Sequence, residues 1–130
     1  MEADQETFGQ VIYTYTRKQA IADGSQIKLE GEHAKIARQV GWKYPVYLTS
    51  SVWALIEEAV ENGRDDIGTV LWDIVRMARF GKNISQDTRI FQVIITGTGH
   101  MRNHRLYLQV GPTDFDDPSP AITIMLPEDL

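Results

Sequence analysis

The chain has no cysteine among its 130 residues, which excludes disulfides, thiolate zinc sites, iron–sulfur clusters and cysteine nucleophiles together. That absence fits a reducing compartment. Long apolar runs are missing too: the longest hydrophobic pieces are strand-sized, well short of the roughly 20 residues a membrane helix needs. The opening MEADQETFGQ is acidic and lacks the basic start and apolar stretch of a signal peptide. No repeat, linker or low-complexity tract divides the sequence. One domain over residues 10–130, after a disordered start at 1–9, is therefore the expectation.

Catalytic signatures are equally scarce. There is no Gly-x-Ser-x-Gly elbow, phosphate loop, dinucleotide fingerprint or His-Glu-x-x-His pair. No cofactor and no metal is expected.

What is present is an ordinary core-forming composition, 42% hydrophobic and 24% charged. A net charge of −5 argues against indiscriminate binding to duplex DNA. The charge is segregated, however. Residues 76–105 hold six cations against one carboxylate, and residues 106–130 hold five carboxylates and no cation. Either block is a candidate contact surface.

The pattern divides into helices first and strands last. Val11, Tyr13 and Tyr15 alternate as in a short strand. Thr16-Arg17-Lys18-Gln19 then has capping-box spacing, and Gly24 ends the helix it opens. Arg17 and Lys18 are left over as weak site candidates, because a helix start does not favour cations. SQIKLEG reads as a strand, and residues 32–40 as a helix with Ala34, Ile36, Ala37 and Val40 inward, stopped by Gly41. YPVYLT is extended, since Pro45 disfavours helix at Tyr44. Thr49 or Ser50 caps a helix burying Val52, Ile56 and Val60 up to Asn62-Gly63.

The strongest helical stripe runs over 65–80 through Ile67, Val70, Leu71, Ile74, Val75 and Ala78, with Trp72 and Phe80 widening it. Beyond Ser85 the period becomes two in RIFQVIITG, RLYLQVG and AITIMLP, with GTGHMRNH and GPTDFDDPSP as loops. The expected class is α+β: an antiparallel sheet, made of a C-terminal three-stranded meander and short N-terminal strands, packed on about four helices.

YTRKQAIADG, AKIARQVGWKYPVYLTSSVW, LWDIVRMARF and the closing GP…PAITIMLPEDL resemble an uncharacterised family of small bacterial proteins carried largely by plasmids, phages and integrative elements. The likeness runs from Val11 to Leu130. It supplies no catalytic residues. It implies a cytoplasmic protein of the bacterial host cell and, by the usual company of mobile elements, a role against host defences of the anti-CRISPR kind.

Each polar cluster also has a plain structural explanation. Glu57, Glu58 and Glu61, or Asp65, Asp66 and Asp73, could pair carboxylates for hydrolysis, yet they fit a solvated helix face and a dipole-favoured first turn better. His100 and His104 bracket a loop tip rather than a helical metal pair, and His33 fits a half-buried satisfied position. Asp114, Asp116 and Asp117 lack the pattern of a calcium loop. Joined with Glu128 and Asp129 they would make an acidic edge suited to a partner that normally grips phosphates. Arg76, Arg79, Lys82, Arg102 and Arg105 would make the opposite surface, a basic patch for nucleic acid. Trp42, Trp53 and Trp72 are assigned to the core. The leading expectation is a non-enzymatic protein that binds a protein surface on a defence complex; the alternative is a nucleic-acid-binding accessory protein using residues 76–105.

Overall fold

A computed structural model describes residues 15–63, 65–100 and 102–129. The expected disordered stretch 1–9 and most of the expected strand from Val11 lie outside those residues. The described elements are α1 (Arg17–Ala22), β1 (Gln26–Lys28), α2 (Gly31–Val40), β2 (Val46–Thr49), α3 (Ser50–Asn62), α4 (Ile67–Met77), β3 (Lys82–Asn83), β4 (Thr88–Ile94), β5 (Asn103–Asp114) and β6 (Asp117–Met125). Short 3-10 turns at Ala78–Phe80 and Pro127–Asp129 close α4 and the C-terminal end.

The helices begin and end where local chemistry says they should. Thr16 makes the full capping box with Gln19. Gly24 and Gly41 carry positive φ at the ends of α1 and α2, a conformation that favours glycine. Asp66 caps α4 by accepting from the Thr69 N–H at 2.8 Å, so α4 starts two residues later than the expected 65. Thr49 precedes α3 but does not cap it; its hydroxyl turns instead to Asp129.

The fold is α+β, with a six-stranded sheet in the order β1-β2-β6-β5-β4-β3. It is mostly antiparallel but mixed, because β2 and β6 run parallel with Val46 opposite Ile122 and Leu48 opposite Ile124. The expectation of a wholly antiparallel sheet is corrected at this seam. The reason lies in coverage. Val46–Leu48 and Ala121–Met125 are buried at every position rather than at alternate ones, which is the habit of central strands covered on both faces. Helices α2, α3 and α4 cover one face, and α1 shields part of the other.

GPTDFDDPSP is likewise not an open loop. β5 and β6 run through it, Asp114 pairs with Asp117, and only Phe115-Asp116 turns. On the helix side, Phe91, Val93, Leu106, Leu108, Ile122 and Ile124 meet Leu71, Ile74, Val75, Val52 and Ile56 in one apolar cluster. Ala59 rather than Val60 is the fully buried residue at the end of α3. Ala34, Trp72 and Phe80, all expected inward, lie outside the cluster, with Trp72 38% and Phe80 70% exposed.

Candidate functional site

A hollow of about 710 Å³ lies on the sheet face opposite α2–α4, between Arg17, Gln26 and Thr123 on one side and Asp129 on the other. Several of its polar groups are occupied with the fold. Arg17 Nε donates to the Thr113 carbonyl at 2.7 Å, and Nη1 donates to Gln26 Oε1 at 2.9 Å and Thr123 Oγ1 at 3.0 Å. Its guanidinium carbon sits 4.0 Å from the centre of the Tyr47 ring, a cation–π contact. Burial lowers the Arg17 pKa, with Tyr47 and Asp114 working the other way.

Lys18 stays exposed. Asp114 supplies the anion that the start of α1 needs, accepting from the Arg17 and Lys18 backbone N–H groups at 3.3 and 2.9 Å. Those bonds, that of Lys18 first, hold the Asp114 carboxyl below its usual range. The mismatch of cations at a helix start is thereby resolved, and these two residues read as structural.

The other acidic residues do not gather into one edge. Asp117 accepts from the Ser119 hydroxyl and N–H. Asp129 Oδ2 accepts from Thr49 Oγ1, Ser51 Oγ and the Leu126 N–H at 2.6–2.8 Å, tying the C-terminal turn to the start of α3. Asp116 sits at the hairpin turn and Glu128 beyond the far end of the nine-residue β6, which puts them roughly 27 Å apart at strand rise. Two of the five, Asp116 and Glu128, make no side-chain hydrogen bond among the described residues.

The basic set divides as well. Arg105 stands opposite Gln92 on the β4–β5 ladder and lines a hollow that also holds Glu128. The Arg102 carbonyl accepts from the Ile95 N–H past the end of β4. Lys82 pairs with Ile90 at the other end. Arg76 and Arg79 remain together, and they have company.

Along the outer side of α4, Trp72, Arg76 and Phe80 fall four residues apart. The Arg76 guanidinium carbon lies 5.8 Å from the Phe80 ring centre. Arg79 donates to the Val40 carbonyl at 2.9 Å and lies 5.4 Å from the Trp42 ring centre. Together with Gln39 and Val40 of α2, these four side chains line a cleft of about 320 Å³. The cleft forms because α2 and α4 run alongside each other: a Cβ on Gly68 would meet Ile36, and Trp42 Nε1 donates to the Val75 carbonyl at 2.8 Å. Exposed aromatics interleaved with arginine are the residue types that dominate binding hot spots.

Comparison with known families places residues 5–130 in one of them. The chain belongs to a family of unknown function, DUF6573. No curated protein and no solved structure matches it. The match to DUF6573 begins six residues before Val11 and so covers every site discussed.

Within this family member, the carboxylate clusters read from the sequence stay at helix ends and faces. Asp66 is the α4 cap. Asp73 has its carboxyl pKa raised by burial and by nearby Asp65. Among the described residues no group of three or more His, Asp or Glu could hold a metal ion, and no helix is long and apolar enough to cross a membrane. His104 Nε2 lies 2.8 Å from Thr98 Oγ1, whose hydroxyl donates to the Ile95 carbonyl at 2.6 Å. The imidazole therefore donates through Nε2, and burial lowers its pKa. His33 is half-buried against the Trp53 ring, 5.8 Å between centroids.

The aromatic side of the cleft was missed in the sequence. Its signal was there: Arg76 stands midway between Trp72 and Phe80 on one helical line, and a line carrying a central arginine is a poor core stripe.

Proposed function

We propose that the protein acts by binding a protein partner rather than by chemical conversion, with the Trp72–Arg76–Arg79–Phe80 surface at the centre of the contact. One observation carries this reading: two large aromatics with arginine between them are exposed on the most regular helix, beside a cleft. The resemblance read in the sequence to proteins of plasmids and phages supports a partner among bacterial host defence complexes, with an anti-CRISPR-like inhibitor as the specific form. Asp116 and Glu128 remain as secondary acidic contacts for a partner that grips phosphates. Tagged protein expressed in a defence-proficient bacterium tests it. Components of a defence complex should co-purify with the native chain and be lost from a Trp72→Ala/Phe80→Ala variant. Recovery of no defence or nucleic-acid-handling protein, or equal recovery with the variant, overturns it.

A second reading is favoured by the same cleft. Arg76 and Arg79 beside exposed Trp72 and Phe80 combine cations with stacking faces, as single-strand binders do. With Lys82, Arg102 and Arg105 set apart, the footprint is small. Two phosphate contacts give a log affinity against log salt slope of about −1.4 for single strands. A mobility-shift titration that finds no retardation at low salt disposes of this reading.

A further inference from the structure

The sheet has two edges, and they are finished differently. β1 is three residues long and carries Lys28. On the other side β3 is two residues long, carries Lys82, and pairs only with Arg89 and Ile90. Short strands and lysine are the usual means of blunting an edge. Among the described residues no strand pairs with β4 beyond Ile90. The stretch from Phe91 to Ile94 is bare on that side, has neither lysine nor proline, and ends in Ile94, which is 65% exposed.

The direction of its backbone groups follows from the ladder. Val110 N–H donates to the Asp87 carbonyl and Ile95 N–H to the Arg102 carbonyl, so the odd-numbered residues of β4 bond to β5. In an antiparallel ladder the alternate residues then point the other way. Ile84 N–H donating to the Thr88 carbonyl shows them doing so. Gln92 and Ile94 thus turn their N–H and C=O groups toward the open side. Beside them lies a hollow of about 370 Å³, walled on the helix side by Asp73 and Met77 of α4. Asp65 and Arg76 both lie near enough to act on Asp73 electrostatically, and Asp73 is the charged side chain that lines the hollow.

We propose that this open stretch of β4 takes up an extended segment of the protein partner, which continues the lane that β3 begins. Its backbone bonds to Gln92 and Ile94, an apolar side chain on the helix side packs on Met77 and Val93, and a Lys or Arg meets Asp73. This is strand addition, in which main-chain bonds give affinity and alternate side chains give specificity. Charge fixes the choice of segment: a basic one complements Asp73, and an acidic one is repelled. The inference rests on the reading of this chain as a binder of a protein partner, but the residues that line its hollow, Asp73 and Met77 among them, are not those that line the Trp72–Phe80 cleft.

The test is selection of displayed random 12-residue peptides on the full chain, followed by anisotropy titration of the winners. Winners should alternate apolar and polar residues and carry Lys or Arg. Their binding should weaken at least tenfold in Gln92→Pro, which removes one outward N–H and no bond to β5. Asp73→Lys, a change on the solvent side of α4, should invert the charge preference. Amide exchange at Gln92 and Ile94 should slow when peptide is added. No winner, or winners that bind Gln92→Pro as tightly as the native chain, overturns the proposal. So does self-association abolished by Gln92→Pro, since the occupant is then a second copy. A defence complex still captured by Gln92→Pro sinks this edge assignment while leaving the interaction reading intact. Peptide binding without any captured complex does the reverse.

Discussion

Arg17 links the N-terminal helix to three strands through one side chain, bonding to β5 at Thr113, β1 at Gln26 and β6 at Thr123 while covering Tyr47 of β2. Arg17→Ala removes the bonds and the ring contact together. It should lower stability by about 2 kcal/mol, toward the low end for hydrogen bonds to a charged group because the side chain is only half buried. Urea unfolding checks this, and a loss within 0.5 kcal/mol would show that α1 is held by other means. Asp114 works beside it through charge. Its folded carboxyl lies below the unfolded value near 3.9, so the unfolded chain binds more protons. The stabilisation is complete above that value and disappears as pH falls through the folded one. Asp114→Asn should therefore have a lower urea midpoint than the native chain at pH 7, and the gap should close as pH falls through the lowered folded value. A gap that persists in acid would mean that the carboxylate's charge is not what holds the helix start.

At the level of elements, the turn after β4 packs closely against the end of α3. Gly97 has φ +95, and a Cβ there would stand 2.9 Å from the Ala59 carbonyl oxygen and 3.1 Å from the Gly63 nitrogen. Gly97→Ala combines an unfavourable backbone conformation with a clash against helix backbone, which cannot rotate away. A loss of about 2–3 kcal/mol is expected, read as a drop in thermal midpoint; Gly99→Ala, with open space around its Cβ, should lose less. These approaches were not legible in the sequence, which marks Gly97 and Gly99 alike as turn residues. The helices themselves were. The Thr16–Gln19 box, the stop at Gly41 and the Val70–Leu71–Ile74–Val75 stripe each depend on neighbours within a few positions, and all are present. The β2–β6 pairing was not, because the partners lie more than 70 residues apart and no feature of VYLT names AITIM as its neighbour. The largely apolar runs in both, broken in AITIM only by Thr123, were the available hint of strands covered on two faces. The end of β5 was missed for a related reason: Pro, Gly and Asp in GPTDFDDPSP signal a turn without saying how few residues it needs.

For the molecule as a whole, the sequence divides aromatic residues from solvent by periodicity alone, and that rule fails on α4. Trp72 and Phe80 flank a good stripe, yet the space against the sheet is filled by Leu71, Ile74, Val75 and Ala78. With α2 alongside, room on that flank is taken by Val40 and Trp42. The acidic and basic blocks are spread out for a different reason: strand direction carries sequence neighbours apart, so Lys82 lies opposite Ile90 near the start of β4 and Arg102 past its end although both belong to one charged segment. What remains together is the exposed ridge of α4, and its thermodynamics distinguish it from a core. Ile124 is fully buried on the β6 face that meets α3 and α4, so Ile124→Ala should cost about 2–5 kcal/mol in transfer and cavity terms. Phe80→Ala, at a position 70% exposed, should stay within about 0.5 kcal/mol of the native chain while weakening partner capture. Acrylamide should quench Trp72 more readily than Trp42, whose indole N–H is bonded to the Val75 carbonyl, a comparison made with single-tryptophan variants. A Phe80→Ala protein as unstable as Ile124→Ala would return the aromatic ridge to the core and leave the binding surface without its anchor.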